Sequence, residues 1–476
     1  MRALGLTYLS ENFRGLALVA LALSALAGAA YLDVSEGLSL SFRFNDVLGG
    51  ILSDMVDPDH EYFGPDRSGT GIDDFARVGV MVFGKTGFSI PLLYASLLGL
   101  TWLFFSMTFF QDRHRLALLV FLALGVYVTL RVAPTMPEDF SGLTEPRYFA
   151  LLGLVPLLHL MLLAKDRFRP NQTMVLVALF QGAVMVLAVH VSIAVLWQAA
   201  CLIVWCVGLA LFTPGSPHRK WWAAWPAVVA VALVAGLFVL QHFRVQENGA
   251  EDSAGAHPLW HQALLGMALS AELAEAYSLS EINDAVADEA AKAWMDGHPD
   301  DVESWGLTGQ AEWERAKREM VVEMARDHTG VFLGVLFKDK PLLLYRQAQW
   351  AAGLAPFDAD RLHLTAAERE GHITSEEERA LEGYYYNPLR WEVVAVLLLA
   401  AFLAGRPLWR QGLGLAAMCG CVLVFSFLPL MLTYPHLYLM GAFLTVLALT
   451  GYVLLVVVVL TPIMLVLRPK PSGLRG

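Results

Sequence analysis

The sequence predicts an all-α polytopic membrane protein, with about ten transmembrane helices and a small α-rich non-cytoplasmic domain. Three observations carry that expectation. First, 57% of the 476 residues are hydrophobic and only 16% charged, against roughly 45–50% and about 25% in soluble domains; the mean hydropathy is +0.53. Second, the apolar residues gather in runs of about 17 to 25, long enough to cross a hydrocarbon layer about 30 Å thick. A backbone in lipid must satisfy its own hydrogen bonds, so such runs become helices, and the period-2 pattern of an outer-membrane barrel is absent. Third, basic and acidic loops alternate along the chain.

The first run, Gly15 to Leu32, follows a short leader holding Arg2 and Arg14. It contains Ala27-Gly28-Ala29, similar to a signal-peptidase site, but a retained helix suits the topology better than a cleaved leader. Further spans are expected at 87–110, 116–133, 148–164, 173–190, 192–213, 222–242, 391–405, 412–433 and 438–467. The stretch 173–213 exceeds one helix, so a tight turn near His190 is expected to divide it.

With these spans the basic loops (Asp112 to Arg115, Lys165 to Arg169, His218 to Lys220, Arg406 to Arg410 and the tail after Arg468) share one side with the N-terminus. By the positive-inside rule that side is cytoplasmic. The expected location is a bacterial inner membrane, with both termini cytoplasmic and the large loop periplasmic. Three regions follow: a seven-span core over 1–242 with a long first outer loop at 34–86, an acidic periplasmic α-rich domain over 243–390, and three spans with a basic tail over 391–476.

Region 243–390 holds 27 acids and 13 bases, a charge of −14 against −11 for the whole chain. This acidity excludes nucleic acid as a partner, because binding a phosphate backbone needs a basic surface. Within the region, Trp313, Ala316, Met320 and Met324 recur at helical spacing between Ala311 and Arg326. Val331 to Leu344 is apolar but interrupted by Lys338-Asp339-Lys340-Pro341, too broken to span and expected to lie flat on the outer membrane surface. All four cysteines (Cys201, Cys206, Cys419 and Cys421) fall inside apolar runs, so no disulfide framework holds the hydrophilic part. They read as small apolar side chains of a bundle.

Ionisable residues at the ends of membrane helices are candidates for function, and three clusters qualify. Asp73 and Asp74 stand before a short amphipathic stretch leading into the second span. Adjacent carboxylates there can accept a proton from a sugar hydroxyl or hold a divalent cation such as Mg or Mn; otherwise they are solvated acids and a helix cap. The same loop holds Asp46, Asp54, Asp57, Asp59 and Asp66, so the choice among its acids is open. Glu145, Arg147 and Tyr148 open the fourth span, with Arg131 at the outer end of the third; arginine forks bind phosphate oxygens in pairs, though snorkelling to lipid headgroups explains them equally well. His257, Trp260 and His261 suit a sugar ring stacked on the indole, or a structural turn packing Trp260 inward. His159 and His190 read as bundle residues with their hydrogen bonds satisfied.

The layout resembles the GT-C superfamily of integral-membrane glycosyltransferases, on the run from Asp73-Asp74-Phe75-Ala76-Arg77 to the Gly84-Lys85-Thr86-Gly87 turn and on Glu145-Pro146-Arg147-Tyr148. That resemblance implies a catalytic acid in the first outer loop and a large outer loop after the seventh span. It further implies a polyprenyl-phosphate-linked sugar as donor, with a glycan, lipid or protein acceptor, in contact with membrane lipid. Asp73 and Asp74 would be catalytic; Arg131, Glu145, Arg147, Tyr148, His257, Trp260 and His261 would bind substrate. The alternatives are an O-antigen polymerase or ligase, which would act through Arg346 and His261, a transporter or flippase, which needs polar groups at mid-membrane, and a non-enzymatic scaffold.

Overall fold

The computed structural model describes residues 70–84, 89–110, 146–165, 172–191, 194–212, 224–247, 259–279, 284–305, 310–351 and 406–434, with four further positions at 443, 446, 447 and 450. Of the described residues, 94% are helical and none lies in a strand. The spans expected at 15–32, 116–133 and 391–405, most of 438–467 and the first loop up to residue 69 lie outside them, as do Arg131, Glu145 and His257.

The bundle comprises α1 (Thr70–Phe83), α2 (Ser89–Phe110), α3 (Pro146–Lys165), α4 (Gln172–Val191), α5 (Ala194–Phe212), α6 (Trp225–Glu247) and α14 (Arg406–Leu432). Helix α1 is the amphipathic stretch at the end of the first loop; the bounds of the others fall within about six residues of the corresponding hydropathy runs, and the break between α4 and α5 comes just after His190. Among the described residues, Gln172–Val191, Val195–Phe212 and Gly414–Leu432 are long and apolar enough to cross a membrane.

Helix α3 is the axis. Phe149 through Ala164 are buried without exception, because α2, α4, α5, α6 and α14 all pack on it. A helix apolar around its whole circumference is one that needs such a central place. Glycines set the closest approaches: a Cβ on Gly153 would stand 2.6 Å from Val195 Cγ1, and one on Gly182 would stand 2.6 Å from Leu233 Cδ1. Small residues at helix crossings are how helices gain packing where lipid supplies no hydrophobic drive. The outer rim is apolar too, with Leu176, Ile203, Val207, Leu211, Val228 and Val424 exposed.

Hydroxyls in these helices turn back on their own backbone. Thr101 donates to the carbonyl of Leu98 at 2.8 Å, Thr108 to Phe104 at 3.0 Å and Ser426 to Val422 at 2.9 Å. Each removes a donor that would otherwise sit unpaired in an apolar layer.

The second body contains α7 (Leu259–Met267), α8 (Ala271–Ala276), α9 (Asp284–Gly297), α10 (Pro299–Trp305), α11 (Gln310–Asp327), α12 (Thr329–Gly334), a π-turn (Val335–Asp339) and α13 (Lys340–Ala351). Ala316, Met320 and Met324 of α11 are buried, as their helical spacing predicts. Met320 and Met324 pack with Leu264, Leu265 and Leu273, and Tyr434 from beyond the end of α14 joins the same core. The interruption at residues 338–341 does not break the helix. Pro341 has no N–H, and its ring crowds the carbonyl four residues earlier; the wider π-turn just before it gives that carbonyl room.

Contacts group the helix ends. The Phe75 ring meets Phe149 edge-on at a centroid distance of 5.2 Å, tying α1 to the start of α3. At the other end of α3, Lys165 lies against Gly414 near the start of α14. Helix α14 then runs back along the bundle, and Tyr434 beyond it donates to the carbonyl of Gln262 in α7 at 2.8 Å. The helical domain and the Phe75–Phe149 contact therefore lie at the same end of the bundle, opposite Lys165.

Candidate functional site

At that shared end, His190 Nε2 of α4 stands 2.9 Å from Asp74 Oδ2 of α1. A carboxylate oxygen accepts, so the imidazole nitrogen facing it carries the proton and donates. The His190 side chain is 10% exposed and the Asp74 side chain 28%. The carboxylate is thus the member that reaches solvent, and the histidine backs it from inside. Asp74 can sit there because Phe75, its neighbour, is fully buried against Phe149 and pins this turn of α1. Asp73 precedes it in the same helix, and Arg147 and Tyr148 occupy the first turn of α3 beside Phe149. The backbone segments that carry Asp73–Asp74 and Arg147–Tyr148 thus lie at one end of the bundle, while Arg131 and Glu145 fall outside the described residues. The sequence reads the partner of Asp74, His190, as a bundle residue with its hydrogen bonds satisfied, and the bond to Asp74 is one of them. Its signal was position: a histidine at a helix–helix turn on the same side as the acid.

Asp74 and His190 supply two possible metal ligands, short of the six or more that a hard divalent cation takes. Among the described residues no group of three or more His, Cys, Asp or Glu side chains is placed to hold an ion.

The third cluster has a different character. His261 and Trp260 belong to the first turn of α7 rather than to a loop. Their backbone N–H groups both point at Glu314 of α11, at 3.3 Å each, so this carboxylate caps the helix from another element. Burial pushes the Glu314 carboxyl above its usual range, and the two N–H donors with the nearby Lys317 pull the other way. The His261 ring is buried, with Nδ1 at 2.8 Å from Lys317 Nζ, which also bonds Asp288 Oδ1 at 2.6 Å. Lysine only donates, so Nδ1 of His261 accepts. The 3.6 Å between His261 Nδ1 and Asp288 Oδ1 then records two groups leaning on one lysine, not a bond between them. Trp260 packs partly buried on the domain core. The sequence offers a sugar platform or a structural turn here; in the structure Glu314, Lys317 and Asp288 make the cluster part of a staple joining α7, α9 and α11.

A fourth polar group lies deep in the bundle. Gln181 Nε2 donates to the carbonyl of Thr101 at 3.1 Å and to His159 Nδ1 at 2.8 Å. The carbonyl can only accept, which fixes the amide's orientation and makes Nδ1 an acceptor. His159 Nε2 then donates to Thr108 Oγ1 at 2.8 Å, and that hydroxyl passes its own proton to Phe104. His159 is thus a neutral imidazole in a closed chain, as expected of a satisfied bundle residue. Cys201 approaches Met161 Sδ at 3.9 Å in an otherwise apolar setting.

No family model, curated protein or solved structure matches the chain.

Proposed function

We propose that the chain is a membrane glycosyltransferase that moves a sugar from a polyprenyl-phosphate donor to a cell-envelope glycan, lipid or protein at the outer face of a bacterial inner membrane. In this reading it has about ten spans and keeps the Lys165–Gly414 end on the cytoplasmic side. The observation that carries the proposal is the 2.9 Å pair between Asp74 and His190, at the end of the bundle that also holds Arg147 and Tyr148.

The chemistry follows from exposure and protonation. Asp74 takes the proton of the acceptor hydroxyl as that oxygen attacks the sugar's anomeric carbon from the face opposite the leaving group. The bond from carbon to the phosphate oxygen breaks, and the phosphate leaves with the electron pair. Arg147 and Arg131 meet the charge it gains, where a preorganised cation is most effective. His190 holds one oxygen of Asp74 and so aims the other lobe of the carboxylate; it positions rather than reacts. Tyr148, Glu145, His257 and Trp260 complete the substrate contacts in this reading, whereas the His261 ring is committed to Lys317. A divalent cation would have to recruit acids of the first loop, Asp73 among them.

The test compares envelope glycans and polyprenyl-linked sugars by mass spectrometry in a deletion strain complemented with variants. Accumulated donor in the deletion, with no rescue by Asp73→Asn/Asp74→Asn, is the expected result. His190→Ala should lower transfer and His190→Gln should restore part of it, since the glutamine amide can still donate to Asp74; a purely structural role for His190 predicts no such preference. Full rescue by the double asparagine variant would sink the reading.

A further inference from the structure

Residues 329–351 form one helical rod with two faces. Val335, Lys340, Leu343, Leu344 and Gln347 are buried, while Leu333, Phe337, Leu342 and Tyr345 are exposed, Phe337 by 74%. Each face contains a five-residue step, 335 to 340 and 337 to 342. On an unbroken α-helix five residues turn about 140° past a full circle, which would scatter each set around the axis. Both steps cross the π-turn at Val335–Asp339, whose wider loop of backbone brings the sets back into line. The π-turn therefore keeps an apolar exposed face continuous while sending Lys340 inward.

The buried face fixes where this rod stands. Lys340 Nζ donates to the carbonyl of Met431 at 3.0 Å, in the last turn of α14. A Cβ on Gly266 would lie 2.6 Å from the same Nζ, so α7 closes over the lysine. Gly414–Leu432 is one of the segments long and apolar enough to cross a membrane, and the end of such a helix is at the level of the headgroups. Leu428 and Leu432, exposed on α14, carry its apolar surface up to that level, and Lys340 bonds the rod to α14 there.

We propose that Leu333, Phe337, Leu342 and Tyr345 rest in the interfacial layer of the outer leaflet, making residues 329–351 a lipid-contacting strut that holds the helical domain against the bilayer. The partner is phospholipid. The rod is bonded to the end of α14 through Lys340, its exposed face carries Phe337 and leucines of the kind that interfacial helices bury with Tyr345 of the kind that settles at membrane–water interfaces, and Lys338, exposed beside Phe337, has a long stem whose ammonium reaches phosphate. This rests on reading α14 as membrane-spanning and is independent of the transferase chemistry.

The test is Phe337→p-benzoylphenylalanine in the full chain, reconstituted in phospholipid nanodiscs and illuminated, with Val424→p-benzoylphenylalanine on the exposed middle of α14 as reference. A lipid mass adduct at both positions is the expected result. Adducts at 424 with a cross-linked dimer, an internal cross-link or no adduct at 337 would overturn the strut. Loss of lipid adducts at both would remove the spanning reading of α14, and the strut with it.

Discussion

At one end of the bundle His190 meets Asp74 at 2.9 Å, and in the helical domain His261 approaches Asp288 at 3.6 Å. The two pairs share residue types and differ in what stands between them. Nothing separates His190 from Asp74, and the carboxylate of that pair is partly open to solvent. In the domain Lys317 is inserted, and it consumes the imidazole's acceptor and an oxygen of the aspartate together. A histidine with an acid nearby is therefore not enough to mark a reactive site. In the first arrangement the imidazole holds the carboxylate directly; in the second one lysine takes up both groups and holds three helices together, although Asp288 is the more exposed acid, 50% against 28%.

The largest expected effect is a difference in activity. Asp74→Asn should lower transfer by about 10²–10⁴-fold, the usual contribution of a positioned general base, in an assay with purified protein and a polyprenyl-phosphate sugar. Asp288→Asn should leave the rate unchanged in the same assay. Equal losses for the two would mean that the contrast between the pairs has been misread.

The complementary experiment acts on stability. Lys317→Ala leaves the buried Nδ1 of His261 without its donor and should cost about 2 kcal/mol, the middle of the range for an orphaned buried polar group. Asp288 is half exposed and can turn to water, so the larger penalty for breaking a fully buried ion pair does not apply. Thermal unfolding should show a lower midpoint, with activity retained at a permissive temperature.

The two pairs also show which features the sequence made legible. Helix positions in the bundle followed from hydropathy, because in an apolar layer the length and composition of a run nearly dictate its structure. Asp74 stood out because a charged residue at a helix end near the membrane costs free energy and needs a reason. Its partner did not: His190 and Asp74 are far apart in the chain, and no periodicity links them. His159 was readable as satisfied, although Gln181, Thr101 and Thr108 come from other helices. The cluster at Trp260 and His261 is legible in part: the sequence offers a sugar platform or a structural turn, and the groups that hold it, Glu314 and Lys317, are more than fifty residues on and arrive from α11. Lys340 looked like part of an interruption in an apolar stretch and is in fact its most deeply buried point.

That burial yields a pH dependence. Desolvation lowers the Lys340 amine to about 7, below the ordinary lysine value of about 10.4. Between those values the unfolded chain holds a proton on this group that the folded chain does not, so stability rises with pH across the window and is flat on either side of it. The slope contributed by one group is at most about 1.4 kcal/mol per pH unit. Lys340→Met keeps the stem in place and should flatten the unfolding midpoint between pH 7 and pH 10; a slope equal to that of the unmodified chain would show that Lys340 keeps its proton in the folded state.

The smallest expected effect returns to the staple. Glu314→Ala removes the acceptor of two backbone N–H groups at the start of α7 and should cost about 1 kcal/mol, typical of a lost helix cap. The cost is modest because the carboxyl must give up hydration to reach its position, as the upward shift of its proton affinity shows. Glu314→Gln keeps an acceptor oxygen without the desolvated charge, so it should fall between the two in unfolding midpoint. Neither variant should alter transfer if Trp260 keeps its place without the Glu314 cap. A rate loss in Glu314→Gln larger than its loss of stability explains would instead mean that the Glu314 cap holds Trp260 in the place where the proposed function has it meet substrate, and would narrow the difference between the two histidine–aspartate sites.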